Sequence, residues 1–507
     1  MAIASSTEAS DAVPAGGTSG SDNLDIEKIE SSKGLVRGLH ARHVNMIAIG
    51  GAIGTGLFVA SGATISQAGP GGALLAYTLI GIMVFFLMQS LGEMATYLPV
   101  SGSFEEYGTR FVSPSFGFAT GWNYWYNWAI TVAAELVASA IVMQYWFPNV
   151  PPWVWSLAFL VILFALNALS VRGFGEGEFW FAAIKVVTVL VFLVLGVLMI
   201  LGIMGGEPVG FQNWTIGDAP FVNGGLGVLS VFMIAGFSFQ GTEMLGIAAG
   251  ETKDPETNIP KATRTVFWRI LIFYVGAIAV IGFLIPYTDP HLLNPEGDIA
   301  LSPFTLVFGR AGIAAAASVM NAVILTSVLS AGNSGLYVST RMLYALAKSG
   351  KAPRVFTYLT PRGIPLPALL ATTAVAALGF VLSLIGSGQA YTWLVNASGL
   401  AGFITWICIA WCHIKFRRAY VAQGHDVKDL PFKATWYPFG SVLALVMCAV
   451  VLIGQNWEAL VGNADFTSLL TSYIGLPLFL GLWAGHKLLT RAPAVKATEA
   501  DLTRHEE

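Results

Sequence analysis

The sequence predicts an all-α membrane protein that crosses the bilayer about twelve times, and three observations support this fold class. Only 11 % of its 507 residues are charged and 55 % are hydrophobic, whereas soluble domains carry about 25 % charged residues. The charges are clustered, which leaves apolar windows of about 18 residues or more, the length that a transmembrane helix needs. Basic residues also alternate between successive loops. The net charge of −3 gives no reason to expect a nucleic-acid partner.

The loops between the predicted spans fall into two sets, and the basic residues select one of them. Of the 26 Lys and Arg residues, all but Arg310 and Lys185, which lies within span five, belong to the first set or to the membrane ends beside it. The positive-inside rule therefore predicts that the first set, with both termini, is cytoplasmic, in a multi-pass protein of the cell (inner) membrane. The predicted spans begin near Val44, Gly72, Phe116, Trp153, Glu178, Gly224, Thr265, Pro303, Pro365, Tyr391, Tyr437 and Thr467. The first set of loops contains the N-terminal tail, residues 98–115, 171–178, 251–264, 341–363 and 415–433, and the C-terminal tail; the second contains residues 63–71, 147–152, 205–223, 286–302, 386–390 and 456–466.

The two ends of the chain are predicted to be cytoplasmic tails. Residues 1–43 are expected to be largely disordered, because their first part is rich in Ser, Gly, Ala, Asp and Glu and lacks the short apolar core of a signal peptide. Residues 490–507 form the predicted C-terminal tail. The three cysteines lie in apolar runs without metal-ligand spacing, so they are interpreted as small packing residues; they are Cys408, Cys412 and Cys448.

Two of the predicted spans are interrupted by glycines. Span one contains IGGAIGTGLF at residues 49–58, and span six contains AGFSFQGTEMLGIAAGE at residues 235–251. Each glycine costs about 1 kcal/mol in a helix relative to alanine, and close helix packing through small residues is one explanation. Paired interruptions five spans apart also indicate a transporter binding site between two inverted repeats. Unwound backbone there offers N–H groups to an anion and carbonyls to a cation, so a zwitterionic amino acid satisfies both.

Several long motifs resemble the amino acid–polyamine–organocation superfamily, and specifically its bacterial amino acid permeases. The motifs are IAIGGAIGTGLFVASG, GWNYWYNW, GFSFQGTEMLGIAAGETKDPETNIPKATRTVFWR and LSAGNSGLYVSTRMLYALAKSGKAP, and the resemblance runs from about Leu35 to about Leu489. The runs SGATISQAGPGGALL, SVRGFGEGEFWFAAIKV and FRRAYVAQGHDVKDLP are most similar to the lysine-specific branch of these permeases.

The resemblance implies a fold and an activity. The implied fold is the LeuT fold, with inverted five-helix repeats at 44–204 and 222–416 and two peripheral helices at 434–489. The implied activity is import of L-lysine by alternating access together with a proton. The proton is the coupling ion, and no cofactor is expected. The protein is then expected to be no enzyme, and its spans contain no metal-ligand cluster or nucleophile–base pair.

The resemblance also assigns the substrate's backbone groups to the first interruption. The α-carboxylate and part of the α-amine are expected to contact the backbone of Ala52, Ile53, Gly54, Thr55 and Gly56.

Aromatic residues are expected to enclose the substrate's side chain. Phe237, placed inside the second interruption near Gly241, resembles the aromatic gate of the family. Tyr124 and Trp128 are four residues apart on one helix face and are candidates to enclose an aliphatic stem. Cation–π attraction to a lysine ammonium would contribute about 0.5–2 kcal/mol. Interfacial anchoring or simple helix packing is the alternative for each aromatic.

Three charged residues within the spans are the candidates for chemistry, because intramembrane charges are costly and often functional. Lys185 lies about seven residues into span five, roughly 10 Å along the helix. An enclosed lysine can load and release a proton, and the resemblance implies this role; snorkelling to the headgroups is the alternative. Glu243 or Glu135 is expected to face the substrate's side-chain ammonium, and capping of the broken helix is the alternative for Glu243.

Two other functions remain open from the sequence. One is exchange of cationic amino acids, which needs no protonatable group at Lys185. The other is a lysine-binding sensor that contacts a membrane regulatory partner through the acidic loop at 286–302.

Overall fold

The computed structural model describes an all-helical chain. It covers residue 46 and residues 53–100, 102–168, 171–204, 207–292, 302–310, 314–383, 387–456 and 466–504, and no strand occurs in these ranges. Two π-helical segments lie at Gly56–Ala60 and Ile270–Gly276. The α-helices of the bundle are α1 (Ser61–Tyr97), α2 (Phe104–Phe111), α3 (Pro114–Gln144), α4 (Pro152–Asn167), α5 (Val171–Ile200), α6 (Gly224–Phe239), α7 (Met244–Ala248), α8 (Pro255–Arg269), α9 (Ala277–Leu284), α10 (Pro303–Arg310), α11 (Ala314–Lys348), α12 (Leu366–Ala376), α13 (Leu378–Ser383), α14 (Ser387–Ala422), α15 (Phe439–Gly454), α16 (Phe466–Tyr473) and α17 (Gly475–Thr490).

These helices follow the predicted spans in chain order. In the described part of the chain, 7 helical stretches are long and apolar enough to cross a membrane, and shorter apolar helices include α4, α12 and α15. The predicted class, an all-α polytopic membrane protein, is therefore confirmed. The repeat boundaries at 44–204, 222–416 and 434–489 stay predictions, and the N-terminal tail at 1–43 lies outside the described residues.

A kink in α1 separates the first two spans. Gly69 has φ +73°, and a Cβ there would lie 2.6 Å from the carbonyl oxygen of Pro220. Only glycine combines this left-handed conformation with so close a backbone approach. Pro70 follows directly and Gly71 donates its N–H to the same oxygen at 2.9 Å. The apolar stretch of 42 residues at Gly56–Tyr97 therefore contains the end of span one and the whole of span two.

Helix α3 lies at the centre of the bundle. Of its most apolar window, 94 % is buried, compared with 28 % for the window in α5. Polar contacts fix α3 against its neighbours: Asn123 donates to the carbonyl of Ala401 in α14 at 2.8 Å, and Trp146, just beyond the end of α3, donates to Ser318 in α11 at 2.8 Å. Side chains of α3 that point inward are consequently held between α11 and α14.

Helix α5 presents a lipid face and an inward face that differ sharply in exposure. Trp180, Val187 and Val194 are spaced by seven residues and are 65 %, 59 % and 60 % exposed. Glu178 and Lys185 are also seven residues apart and have no exposed area. Because residues seven apart share a helix face, both charged side chains point into the protein, away from the apolar surface.

Contacts between loops agree with the two sets assigned from the sequence. In the first set, Lys351 pairs with Glu105, and Arg504 of the C-terminal tail pairs with Glu256. Burial raises the pKa of the Glu105 carboxyl, and the adjacent Lys351 ammonium opposes that effect. In the second set, Tyr287 accepts a hydrogen bond from the backbone N–H of Asp218 at 3.2 Å. Which set faces the cytoplasm stays a prediction.

A buried ion pair joins span two to span ten. Glu93 accepts two hydrogen bonds from the guanidinium of Arg417, one of them at 2.6 Å, and a third from the backbone N–H of Ala434 at 2.6 Å. The His413 Nε2 atom lies 3.0 Å from the same carboxylate, and Glu93 has no exposed area. The bidentate pair satisfies a carboxylate that would otherwise be very costly at this depth.

Breaking this pair should strongly destabilise the protein. Glu93→Gln leaves the Arg417 charge buried without its counter-charge, so we expect a loss of about 3–5 kcal/mol in the free energy of unfolding. Thermal unfolding of the detergent-solubilised protein would measure it as a lower midpoint. The double variant Glu93→Gln/Arg417→Met should lose less free energy of unfolding than the sum of the losses in the two single variants. Lys496→Gln is the control, because its partner Glu499 is 62 % exposed and exposed ion pairs contribute little to stability. Additive losses of stability for the Glu93 and Arg417 substitutions would contradict the pairing.

Candidate substrate and coupling site

The first interruption brings three spans to the same point. Ile53 and Gly54 are not helical, and the chain continues as the π-helical segment at Gly56–Ala60. A Cβ on Gly56 would lie 2.4 Å from the Cα of Ser238, and one on Gly54 would lie 2.9 Å from Oε1 of Glu135. Both glycines are therefore required for close packing. The two explanations given for the glycines, close helix packing and an interrupted helix, are compatible with each other. Ala52 lies outside the described residues.

The second interruption lies between α6 and α7. Gln240 leaves the helical conformation with ψ 145°, and Gly241 has φ +95°. The expectation that Phe237 lies inside this break is wrong, because α6 continues to Phe239 and Phe237 occupies its last turn. The extra turn is held by aromatic packing, since Phe239 stacks on Tyr274 with ring centroids 4.2 Å apart.

The two interruptions border one cavity, with about 270 Å³ of space that protein atoms do not fill. Five predicted site residues and three others line it: Gly54, Gly56, Trp128, Glu135 and Phe237, with Thr131, Gln240 and Ala331.

Glu135 connects the first interruption to the central helix. Its Oε1 accepts a hydrogen bond from the Thr55 hydroxyl at 3.1 Å, and the residue is 4 % exposed. Its Oε2 has no hydrogen-bond partner among the described residues. A buried carboxylate oxygen without a donor is rare, and this one belongs to a residue that lines the cavity. An ammonium group is a suitable donor for it.

Glu243 has a different environment. Its carboxylate accepts the backbone N–H of Gly241, at 3.0 Å to Oε2, and the indole N–H of Trp406 at 3.2 Å. This is the capping contact that the sequence analysis gave as the alternative. Glu243 also interacts electrostatically with Tyr124 and Arg269. Glu243 is not among the residues that line the cavity, and it is 1 % exposed.

The two predicted aromatic residues of α3 are packed differently. Trp128 lines the cavity, whereas Tyr124 lies one turn away with its ring centroid 6.4 Å from that of Trp128. Phe104 covers the other side of Tyr124 at 4.7 Å. Neither the Tyr124 hydroxyl nor the Trp128 indole N–H has a partner within the described chain. Both residues are buried, so interfacial anchoring does not describe them.

Lys185 lies within a group of buried charges. It has no exposed area, so its ammonium does not snorkel to the membrane surface. The charges that face it are the carboxylates of Glu178 and Glu135 and the guanidinium of Arg269. Glu178 and Arg269 were not predicted as site residues. The seven-residue spacing of Glu178 and Lys185 was an available signal for the first, but Arg269 ends a charged stretch that is typical of a loop.

A polar network behind the cavity was also not predicted. Ser398 of α14 donates to the side-chain oxygen of Asn127 at 2.9 Å and lies 2.6 Å from the Thr131 hydroxyl. Gln240 donates to the carbonyls of Ser398 and Gly399, both at 3.2 Å. Spans three, six and ten are thus joined at the substrate cavity, and a lone serine in an apolar run gives no sequence signal for it.

Interrupted helices around a buried polar cavity, in a polytopic membrane protein, define a transporter of small solutes. The chain belongs to the amino acid permease family, whose sequence profile matches residues 43–498. The resemblance stated from the motifs is confirmed, as is the expectation that the protein is not an enzyme, because the family consists of transporters.

Individual relatives align along almost the full chain. The lysine-specific permease of Escherichia coli (strain K12) is 59 % identical over 475 residues, which are 93 % of this chain and 97 % of the relative. The lysine-specific permease of Lactococcus lactis subsp. cremoris (strain MG1363) is 55 % identical over 477 residues, which are 93 % of each chain. The histidine permease of the same organism is 50 % identical over 477 residues, covering 94 % of this chain and 100 % of the relative.

Proposed function

We propose that this protein imports L-lysine across the cell (inner) membrane by alternating access, coupled to proton symport, with both termini in the cytoplasm. The observation that carries the proposal is Glu135, whose carboxylate has an oxygen without a partner in the described chain and lines a cavity between two interrupted helices. A substrate ammonium beside Gly54 and Thr55 would complete its hydrogen bonding, while the unwound backbone meets the α-carboxylate.

Two observations favour a lysine side chain. Two aligned relatives are lysine-specific permeases, although a histidine permease is also similar. A second buried carboxylate, Glu243, lies near Tyr124, and a carboxylate has about four acceptor positions. The cap at Gly241 and the bond from Trp406 leave room for a further donor. We assign Glu135 to the substrate's α-ammonium and Glu243 to its side-chain ammonium.

The charges around Lys185 support proton coupling over exchange. A buried ammonium between carboxylates can lose its proton only with a large change in the local field. Because Glu135 contacts both Thr55 and the cavity, that change reaches the substrate site directly. The acidic loop suggested for a regulatory partner, 286–302, lies largely outside the described residues, so the sensor stays a prediction.

Lys185→Ala should abolish gradient-driven lysine accumulation in proteoliposomes and retain some lysine binding, because the coupling ammonium is lost and the cavity residues remain. Uptake with and without an inward proton gradient, and binding by calorimetry, would measure the two effects. Lys348→Ala, at an exposed lysine of α11, is the control and should resemble the wild type. Lysine accumulation at the wild-type level by Lys185→Ala would contradict its coupling role. If lysine accumulation by the wild type did not depend on the proton gradient, that would contradict symport.

Glu243→Gln should weaken lysine binding about tenfold relative to norleucine, which has no side-chain ammonium; tenfold corresponds to about 1.4 kcal/mol. Glu135→Gln should weaken both ligands, since both carry an α-ammonium. Competition against labelled lysine would measure the ratios, with arginine, ornithine and histidine included to define the substrate range. Equal effects of Glu243→Gln on lysine and norleucine would remove Glu243 from side-chain recognition.

A further inference from the structure

Glu178 and Lys185 face one another along a single helix. Seven residues separate them, a rise of about 10 Å, and side chains on a helix lean towards its N-terminus. The long Lys185 side chain therefore extends from its own position towards Glu178. The two groups interact electrostatically, and both have no exposed area.

The carboxylate of Glu178 is held by the neighbouring span. Its Oε1 accepts a hydrogen bond from the Ser330 hydroxyl of α11 at 2.7 Å. Asn333 and Ser334 also face it, and Asn333 is itself fixed by a 2.7 Å bond from Asn167 of α4. Glu178 thus lies in a polar pocket that two other helices build around its carboxylate. An acidic residue that only happened to lie near a helix start would not have such a pocket.

The two carboxylates around Lys185 are attached to different parts of the molecule. Glu135 is bonded to Thr55 at the first interruption and lines the cavity. Glu178 is bonded to Ser330 in α11, away from the cavity. The remaining facing charge, Arg269, repels the Lys185 ammonium. The ammonium therefore has one partner at the substrate site and one partner behind it.

We propose that Glu178 is a positioning residue that holds the Lys185 ammonium when the substrate's ammonium occupies Glu135. The inference rests on the proposed proton coupling. It adds a reason why Glu135 can interact with both the Lys185 ammonium and the substrate's ammonium. Without Glu178, Glu135 would be the one of these two carboxylates that remains for Lys185. The Lys185 ammonium would then compete with the substrate's ammonium for Glu135. With Glu178 present, the Lys185 ammonium shifts from Glu135 to Glu178, which Ser330 of α11 holds, as the substrate enters.

Glu178→Gln tests this role in the full-length protein. We expect the KM for lysine uptake to rise about tenfold, because Lys185 then competes for Glu135, while the maximal rate changes less. The pH dependence of uptake should move to lower pH by about one unit, since removal of a neighbouring negative charge makes an ammonium easier to deprotonate. Glu178→Asp, which keeps the charge, should restore the pH dependence at least in part.

The control is Glu176→Gln, two residues earlier on the same helix and so on a different face; it should keep the wild-type KM and pH dependence. If Glu178→Gln does not reach the membrane, Ser330→Ala removes the donor that holds the carboxylate and should shift both quantities in the same direction by a factor of about two to three. Wild-type KM and pH dependence in either variant would overturn the proposal. A wild type without gradient-driven uptake would instead overturn the proposed function.

The C-terminal segment supports a second, independent inference. Residues 495–504, predicted only as a tail, lie against the helix ends of the first set of loops. The N–H of Val495 bonds to the carbonyl of Val112 at 2.8 Å, and the side chain of Gln423 bonds to the carbonyl of Ala500 at 2.8 Å. Ala500 and Leu502 are 5 % and 8 % exposed.

Charged contacts continue along the same segment. Arg110 of α2 donates to the carbonyl of Thr503 at 3.1 Å and pairs with Asp501 at 3.2 Å. Arg504 donates to the carbonyl of Tyr97 at 3.2 Å, lies over the Tyr97 ring, and pairs with Glu256 at the start of α8. One short segment therefore bonds to the ends of α1, α2, α8 and α14.

The geometry points to a strap that holds these helix ends together and slows opening of the protein on that side. Opening by alternating access must separate helix ends, and each separation would break some of the strap's contacts. The strap consequently favours the conformation described here. This inference rests on alternating access but not on the identity of the substrate or the coupling ion.

Leu502→Asp tests the strap, because a charge at this buried position should release the segment. We expect lysine exchange across proteoliposomes to become about two to five times faster, with little change in the thermal unfolding midpoint. Lys496→Gln is the control, since it changes the net charge equally at a side chain that is 74 % exposed. An unchanged exchange rate would overturn the strap, as would a slower rate with a lower midpoint, which would indicate a purely structural role.

Discussion

The hydrogen bond from Thr55 to Glu135 is the contact on which the rest of the site depends. It fixes the interrupted span against the central helix at the point where backbone groups lack helical partners. In a membrane such groups are tolerated only within protein or a wet cavity. Gly54 permits the approach, because a Cβ there would collide with the carboxylate. The same bond therefore shapes the cavity and orients its acid, which also interacts electrostatically with Lys185.

Each buried charge at the site interacts with an opposite charge, which explains why so many are tolerated. Lys185 is faced by Glu135 and Glu178, and Arg269 interacts with Glu243 as well as with Lys185. Each charge alone would be very costly in this environment, and each is offset by an opposite one. Neutralising one member of such a set changes the electrostatic field at the members beside it.

The sequence predicted the parts of this arrangement that produce a local signal. Apolar windows and basic loops gave the helices, paired glycines gave the interruptions, and an acid or base within a span gave Glu135, Lys185 and Glu243. Contacts between distant segments produce no such signal. Ser398 is one serine in an apolar run, and residues 495–504 have the composition of a solvated tail. The extra turn of α6 at Phe237 likewise depends on Tyr274, which lies in another span.

Both interruptions are packed tightly against neighbouring helices at the cavity. The backbone of Ser238, in the last turn of α6 before the second interruption, lies so close to Gly56 that a single Cβ would not fit between them. The cavity of about 270 Å³ is bounded by both, and Gln240 ties the second to α14. The same helix, α14, carries Arg417, the partner of Glu93, near the opposite end from Ser398, so one helix makes contacts both at the cavity and in the buried ion pair.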